Sequence, residues 1–292
     1  MNSRKQDDKD KDEPEFVTSI SRVAPGEINI RGYDVRDVMH QSSFSEGAFL
    51  TIIGRRPTSA ELRVFDAILC SCLDHGLVNT LTVSARYVMS GSASVPAAIA
   101  AGVLCFGPYT GTAHLTAELL IELTQTHGPD PSDAAIDAAL RLRRDVRQPI
   151  PGLGHPIHKE FDPRGETVRE IAEAEGMIGP SVGLLDRIRV RASELVGTSL
   201  VLNVDGLMAA LFLDMGFTPE QMLATNILSA IPGMAAHAIE EAQIGRRLRY
   251  PVDHESAYTL PAETRDWEAQ VAAGDSLERP DSAAPPGKKE LP

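Results

Sequence analysis

Residues 149–164 read Pro149-Ile150-Pro151-Gly152-Leu153-Gly154-His155-Pro156-Ile157-His158-Lys159-Glu160-Phe161-Asp162-Pro163-Arg164. Four prolines and two glycines in this stretch deny it helix or strand regularity, so its backbone groups need other partners. Ligands commonly supply them, which is why loops on rigid scaffolds carry sites. His155 is a proton-transfer group, and Lys159 and Arg164 offer positive charge. Asp162-Pro163 sets a turn that would aim Arg164 back toward His155. A proline-rich connector with incidental charges has the same composition.

Helical signals surround the loop. Phe44 to Ile53 reads as a helix capped by Ser43 or Ser45 and stopped at Gly54. Thr58 with Glu61 three residues on forms a capping box. The helix it opens carries Leu62, Phe65, Ile68, Leu69 and Cys72 on one face, ending by Asp74-His75-Gly76. Further helices are expected over 82–89, 96–104, a segment ending at Leu123, 132–146, 166–175 and 182–195. One more begins at Asp205, another at Thr218-Pro219, and a last one spans 232–243. Ile28, Ile30 and Tyr33 alternate as in one short strand or extended arm. Alanine is abundant and aromatics make up 5% of the chain, which suits close helix packing. The fold class is all-α.

The polar residues 1–14 and the tail 266–292 read as disordered. The formal net charge of −13 over 292 residues argues against nucleic-acid or membrane-surface partners. An anionic ligand would need a local cluster such as Arg141, Arg143, Arg144 and Arg147, which equally serves as a solvated helix face. Cys70, Cys72 and Cys105 lack zinc or redox spacing and read as core residues of a reducing compartment. No hydrophobic leader is evident, so a cytoplasmic location is expected. His40, His127, His158, His237 and His254 lack metal-ligand spacing and read as structural or exposed. No metal is expected.

Gly154-His155 with Lys159 and Asp162-Pro163-Arg164 resembles a signature of the citrate synthase and citryl-CoA lyase superfamily. Asn203-Val204-Asp205 resembles its second signature and Arg31-Gly32-Tyr33 a third. Gly233 and Ala236-His237 with Glu240-Glu241 resemble a fourth. The resemblance covers roughly residues 20–260. It implies a citrate-synthase-like helical fold, with a large domain (15–110 and 212–265), an inserted small domain (111–211) and a site in the cleft between them. The size of the chain is closest to stand-alone citryl-CoA lyases.

The implied chemistry makes or breaks a carbon–carbon bond between a short acyl-CoA, such as acetyl-CoA, and a 2-oxo acid, such as oxaloacetate. It needs an acid/base at the carbon next to the thioester, donors for the enolate oxygen, and a group serving the second substrate's oxygen. By resemblance Asp205 is the carbon acid/base and His155 serves the hydroxyl or oxo oxygen. Arg164 and His75 hold the oxo acid, joined by Arg249 across a dimer interface. Gly152, Gly154 and Lys159 belong to the CoA side. Taken alone, Asp205 before an apolar helix is more often an ordinary N-cap, while Arg164 is equally a surface ion pair and His75 equally a helix-terminal histidine.

The departures from the family are specific. Gly107-Pro108-Tyr109-Thr110-Gly111-Thr112-Ala113 carries Thr110 where the family has the histidine that holds the enolate oxygen. A hydroxyl donates one hydrogen bond but carries no charge. Ala230 replaces a family arginine, and Pro156 follows the catalytic histidine in an unusual way. His114, four residues after Thr110, is expected to face elsewhere. A catalytically silent, CoA-binding dimeric partner is therefore the rival reading, and an enzyme acting on a different acyl-CoA a third.

Overall fold

The computed structural model describes residues 16–245 and 248–250. The expectations for 1–14, for His254 and for the tail 266–292 lie outside the described residues. Two antiparallel pairings join β1 (Ser21–Ala24), β2 (Glu27–Ile30) and β3 (Tyr33–Asp34) into a small sheet. The alternation at Ile28, Ile30 and Tyr33 signalled only one of these strands. Pro25-Gly26, with Gly26 at φ +75°, turns β1 into β2.

The other regular elements among the described residues are helices. In order come α1 (Val35–Gln41), α2 (Phe44–Ile53), α3 (Ser59–Ser71), a 3₁₀ turn (Gly76–Val78), α4 (Thr80–Ser92) and α5 (Val95–Val103). Then follow α6 (Ala113–His127), α7 (Asp133–Asp145), α8 (Pro163–Ala174), α9 (Pro180–Val196), α10 (Val204–Asp214) and α11 (Pro219–Ile244). The caps are those the sequence signals: Ser43 for α2 and Thr58 with Glu61 for α3. Ser132 caps α7, and Thr218, with Gln221 completing a second capping box, caps α11.

Pro232 signals a helix boundary in the sequence, but α11 does not break there. One 26-residue helix runs through, carrying Pro232 inside. Its buried face (Met222, Thr225, Asn226, Ser229, Gly233, Met234, Ala238, Glu241) is continuous, and this packing outweighs the hydrogen bond that proline forfeits. At Gly233 a Cβ would sit 2.2 Å from the Leu73 carbonyl oxygen. Only glycine lets α11 lie against the segment that leads to His75.

Two apolar clusters hold the body together. The larger joins α2, α3, α6, α7, α8, α9 and α10 around Phe49, Phe65, Leu120, Ile136, Leu185, Leu207 and Phe212. Phe212 and Phe217 stack with ring centroids 4.3 Å apart, and Phe49 meets Phe65 edge-on at 5.3 Å. The smaller cluster packs Leu81, Ala85 and Met89 of α4 against Ala98 of α5 and Met234 and Ala238 of α11. α10 is buried almost all round, from Val204 to Phe212. It is the rigid post on which the site is mounted.

Candidate active site

Asn203 caps α10. Its side-chain oxygen accepts from Gly206 N (3.0 Å), while its amide donates to the Gly154 carbonyl (2.9 Å). Asp205 is therefore the second residue of the helix and not its cap. The loop is stitched to the same point by backbone bonds from Asn203 N to Gly152 O (3.1 Å) and from Gly154 N to Val201 O (2.7 Å). Gly152 is left-handed at φ +81°, and a Cβ there would lie 2.7 Å from Gly206 Cα. The two glycines let loop and helix touch.

Asp162 makes the second tie. It is 1% exposed and caps α8, accepting from Arg164 N (3.1 Å). It also takes Arg164 Nε (3.0 Å), Arg164 Nη2 (2.8 Å) and Val204 N (3.1 Å), the first residue of α10. Burial pushes its carboxyl up, but the Arg164 guanidinium and these N–H donors hold it below the usual carboxylate range. One buried carboxylate thus fixes Arg164 relative to Asp205.

Around this frame lies a cavity of about 790 Å³, of the size that takes a small-molecule ligand. Its walls include His75, Thr110, Gly152, Gly154, His155, Arg164 and Asp205, residues drawn from four segments of the chain. Asp205 Oδ2 accepts from both the backbone N (3.0 Å) and hydroxyl (3.3 Å) of Thr112, which fixes the carboxylate and leaves Oδ1 free of described partners. Thr110 Oγ1 lies 3.4 Å from Thr80 Oγ1. Cys72 also reaches the wall; burial pushes its thiol up to about 11, so it holds no thiolate at neutral pH.

Three imidazoles meet here. The His155 ring lies 4.4 Å from that of His158 and 5.4 Å from that of His75, centroid to centroid. Burial, then the neighbouring His158 and Arg164 charges, lower His155 to about 4. Burial and Arg164 lower His75 as well. His155 Nδ1 accepts from the backbone N–H groups of Ile157 (3.1 Å) and His158 (3.0 Å), so the neutral ring carries its proton on Nε2. Arg164 Nη2 is 3.3 Å from that Nε2. Two donors side by side fit one oxygen of an anionic or carbonyl ligand.

The nitrogens of His75, His155 and His158 lie within 4.8 Å of one another, close enough to ligate a cation. The geometry opposes it: His155 Nδ1 is already occupied and Nε2 faces a guanidinium. An oxygen of an anion suits the same space better.

Other expected site residues lie elsewhere. Lys159 Nζ donates to the His155 carbonyl (3.0 Å), bracing the loop, and is not among the cavity walls. Arg249 is gripped by Glu241 (2.6 and 2.7 Å), a carboxylate 1% exposed that also takes Arg86 Nε (2.9 Å). That places Arg249 outside the cavity of its own chain. Of the basic cluster only Arg143 reaches the walls, whereas Arg144 pairs with Asp145. Ala230 lines the cavity and His114 does not.

Sequence reasoning missed four residues. His158 lacks ligand spacing, yet its position three residues past His155 puts it in the same loop turn. Asp162 before Pro163 signals a turn, and the same Asp-Pro pair is also an N-cap signal. Thr112 carries no local signal because its partner Asp205 is 93 residues away, and Asn226 carries none because only the fold brings it to the cavity wall.

Residues 54–251 match the family described as citrate synthase, C-terminal domain. The chain is 26% identical over 247 residues to a citrate synthase of Deinococcus radiodurans, covering 83% of this chain and 62% of that protein. It thus spans about three fifths of that relative's length. A citryl-CoA lyase structure from Hydrogenobacter thermophilus superposes with TM-score 0.77 at 29% identity, covering 89% of this chain and 100% of that one. A Methanosaeta concilii ATP citrate lyase bound to (3S)-citryl-CoA shares the fold at TM-score 0.71 and 22% identity, over 86% of this chain and 42% of that one.

Proposed function

Because the chain belongs to the citrate synthase family, we propose that it makes or breaks a carbon–carbon bond between a short acyl-CoA and a 2-oxo acid. The observation that carries the reading is the single cavity in which Asp205, His155 and Arg164 converge. The Asp205 carboxylate, anchored through Oδ2 by Thr112, takes the proton from the carbon next to the thioester carbonyl. The electron pair left there attacks the carbonyl carbon of the oxo acid. His155 Nε2–H and Arg164 donate to the oxygen that gains charge, and a lowered His155 pKa keeps the ring neutral for that task. Read backwards, the same groups cleave a 3-hydroxy-3-carboxyacyl-CoA.

The cleft between an inserted domain (111–211) and the remainder, and a homodimer in which Arg249 serves the partner's site, are part of this proposal. A monomeric mass at micromolar concentration would remove the second. Incubation with a panel of acyl-CoAs and 2-oxo acids, followed by mass spectrometry of the thioesters, tests the reaction. The rival reading of a silent CoA-binding partner is favoured by one feature, the uncharged Thr110 hydroxyl shared with Thr80. Thioester binding without product in that panel would select it.

A further inference from the structure

We infer that Asn226 is a catalytic residue of this cavity, its carboxamide donating to the thioester oxygen as Asp205 deprotonates the neighbouring carbon. This deepens the proposed reaction and rests on it. Asn226 sits on α11, is 4% exposed and lines the cavity. Its Nδ2 is buried and has no hydrogen-bond partner. A buried amide without a partner is costly, and most native structures avoid it. A ligand oxygen is the partner the fold leaves open.

Position identifies which oxygen. Asn226 Nδ2 lies 3.4 Å from where a Cβ on Gly111 would be, and Gly111 is flanked by Thr110 and Thr112. Thr112 holds the Asp205 carboxylate through Oδ2. The amide is thus connected to the base through two adjoining residues, Gly111 and Thr112, and both line the same cavity. When the carbon–hydrogen bond next to the thioester breaks, its proton goes to Asp205 and its electron pair forms the carbon–carbon double bond of the enolate. The carbonyl π pair moves onto the oxygen, one bond further on. A donor on the same cavity wall as Thr110 to Thr112 serves that oxygen, and a buried N–H aimed at developing charge is worth more than one in water. Ala230, one turn along α11 and also on the wall, leaves no guanidinium there to compete for it.

Asn226→Leu and Asn226→Asp test the role, with acetyl-CoA and S-carboxymethyl-CoA as probes. The second compound carries a carboxylate in place of the thioester's methyl group, an anionic acceptor within reach of the same donors, so binding can be read without turnover. Wild type should bind S-carboxymethyl-CoA more tightly than acetyl-CoA, and both variants should lose that preference. With a turned-over substrate, kcat should fall by about 10²-fold with KM little changed, as for loss of one oxyanion donor. The melting temperature of Asn226→Leu should stay level or rise, because an unpaired polar group is removed. A residue that merely supports the fold would instead lower it. Unchanged kcat and preference, a rise in KM alone, or activity that tracks a lost folded fraction would each overturn the inference. So would a wild type that binds no CoA ligand. A wild type with the preference but no carbon–carbon product would keep Asn226 as the anion donor and reject the proposed reaction.

Discussion

Replacing Asp162 by Asn is the most informative single change to the framework. Both residues cap helices equally well, so Oδ1 can keep the bond from Arg164 N and the cap costs nothing. At the other oxygen the substitution sets an NH2 group against two donors, Arg164 Nη2 and Val204 N, which in the wild type donate to Asp162 Oδ2 at 2.8 and 3.1 Å. Breaking a buried pair by removing one charge costs about 3–5 kcal/mol. The Arg164 side chain is 22% exposed, so solvent returns part of that, leaving about 2–4 kcal/mol. For a body of this size each kcal/mol shifts the melting temperature by about 2–4 °C, giving a fall of about 4–16 °C by calorimetry. Turnover should fall further than folding accounts for, because Arg164 and Asp205 lose their common anchor. Asp162 is held below the ordinary carboxylate range, so its contribution is full above about pH 4 and fades as pH drops through its folded value. The gap between wild type and variant should close there. A variant melting within 2 °C of wild type at neutral pH, with equal turnover, would refute the reasoning.

Gly152→Ala forces a Cβ to 2.7 Å from Gly206 Cα at φ +81°, so a loss of about 2–5 kcal/mol is expected in denaturant melts, and an unchanged midpoint would refute the close contact. Lowering of His155 from 6.5 to about 4 means its stabilisation is full above pH 6.5 and is lost as pH falls toward 4. Activity should therefore fall below about pH 5 through this ring; a midpoint near 6.5 in the pH profile or in NMR titration of His155 would contradict it. Acyl-CoAs should raise the melting temperature, since they bind the folded state, and Arg164→Ala should diminish the rise produced by a 2-oxo acid, measured by scanning fluorimetry.

Helices and caps were legible because their causes are local: a hydroxyl or carboxylate before an apolar period, a glycine after it. Pro232 misled for the same reason, since its local meaning is a break and only the buried face of α11 overrides it. His155, Asp205, Arg164, His75 and Thr110 were legible as residues, and the cavity gathers them from four segments. The anchors were not. Thr112 meets Asp205 across 93 residues and Asp162 meets Val204 across 42, and no periodicity carries such pairs. Arg249 lies in a basic run whose register local sequence does not fix; in this chain it donates to Glu241.

Exchange of the α-proton of an acyl-CoA with deuterated solvent, followed by mass spectrometry for wild type and Asp205→Asn, tests the central claim most directly. The account predicts exchange in wild type, faster with a 2-oxo acid bound, and a fall of about 10²–10⁴ in the variant, the contribution of a positioned acid or base. Equal exchange in both proteins, or none in a wild type that binds the thioester, would contradict it.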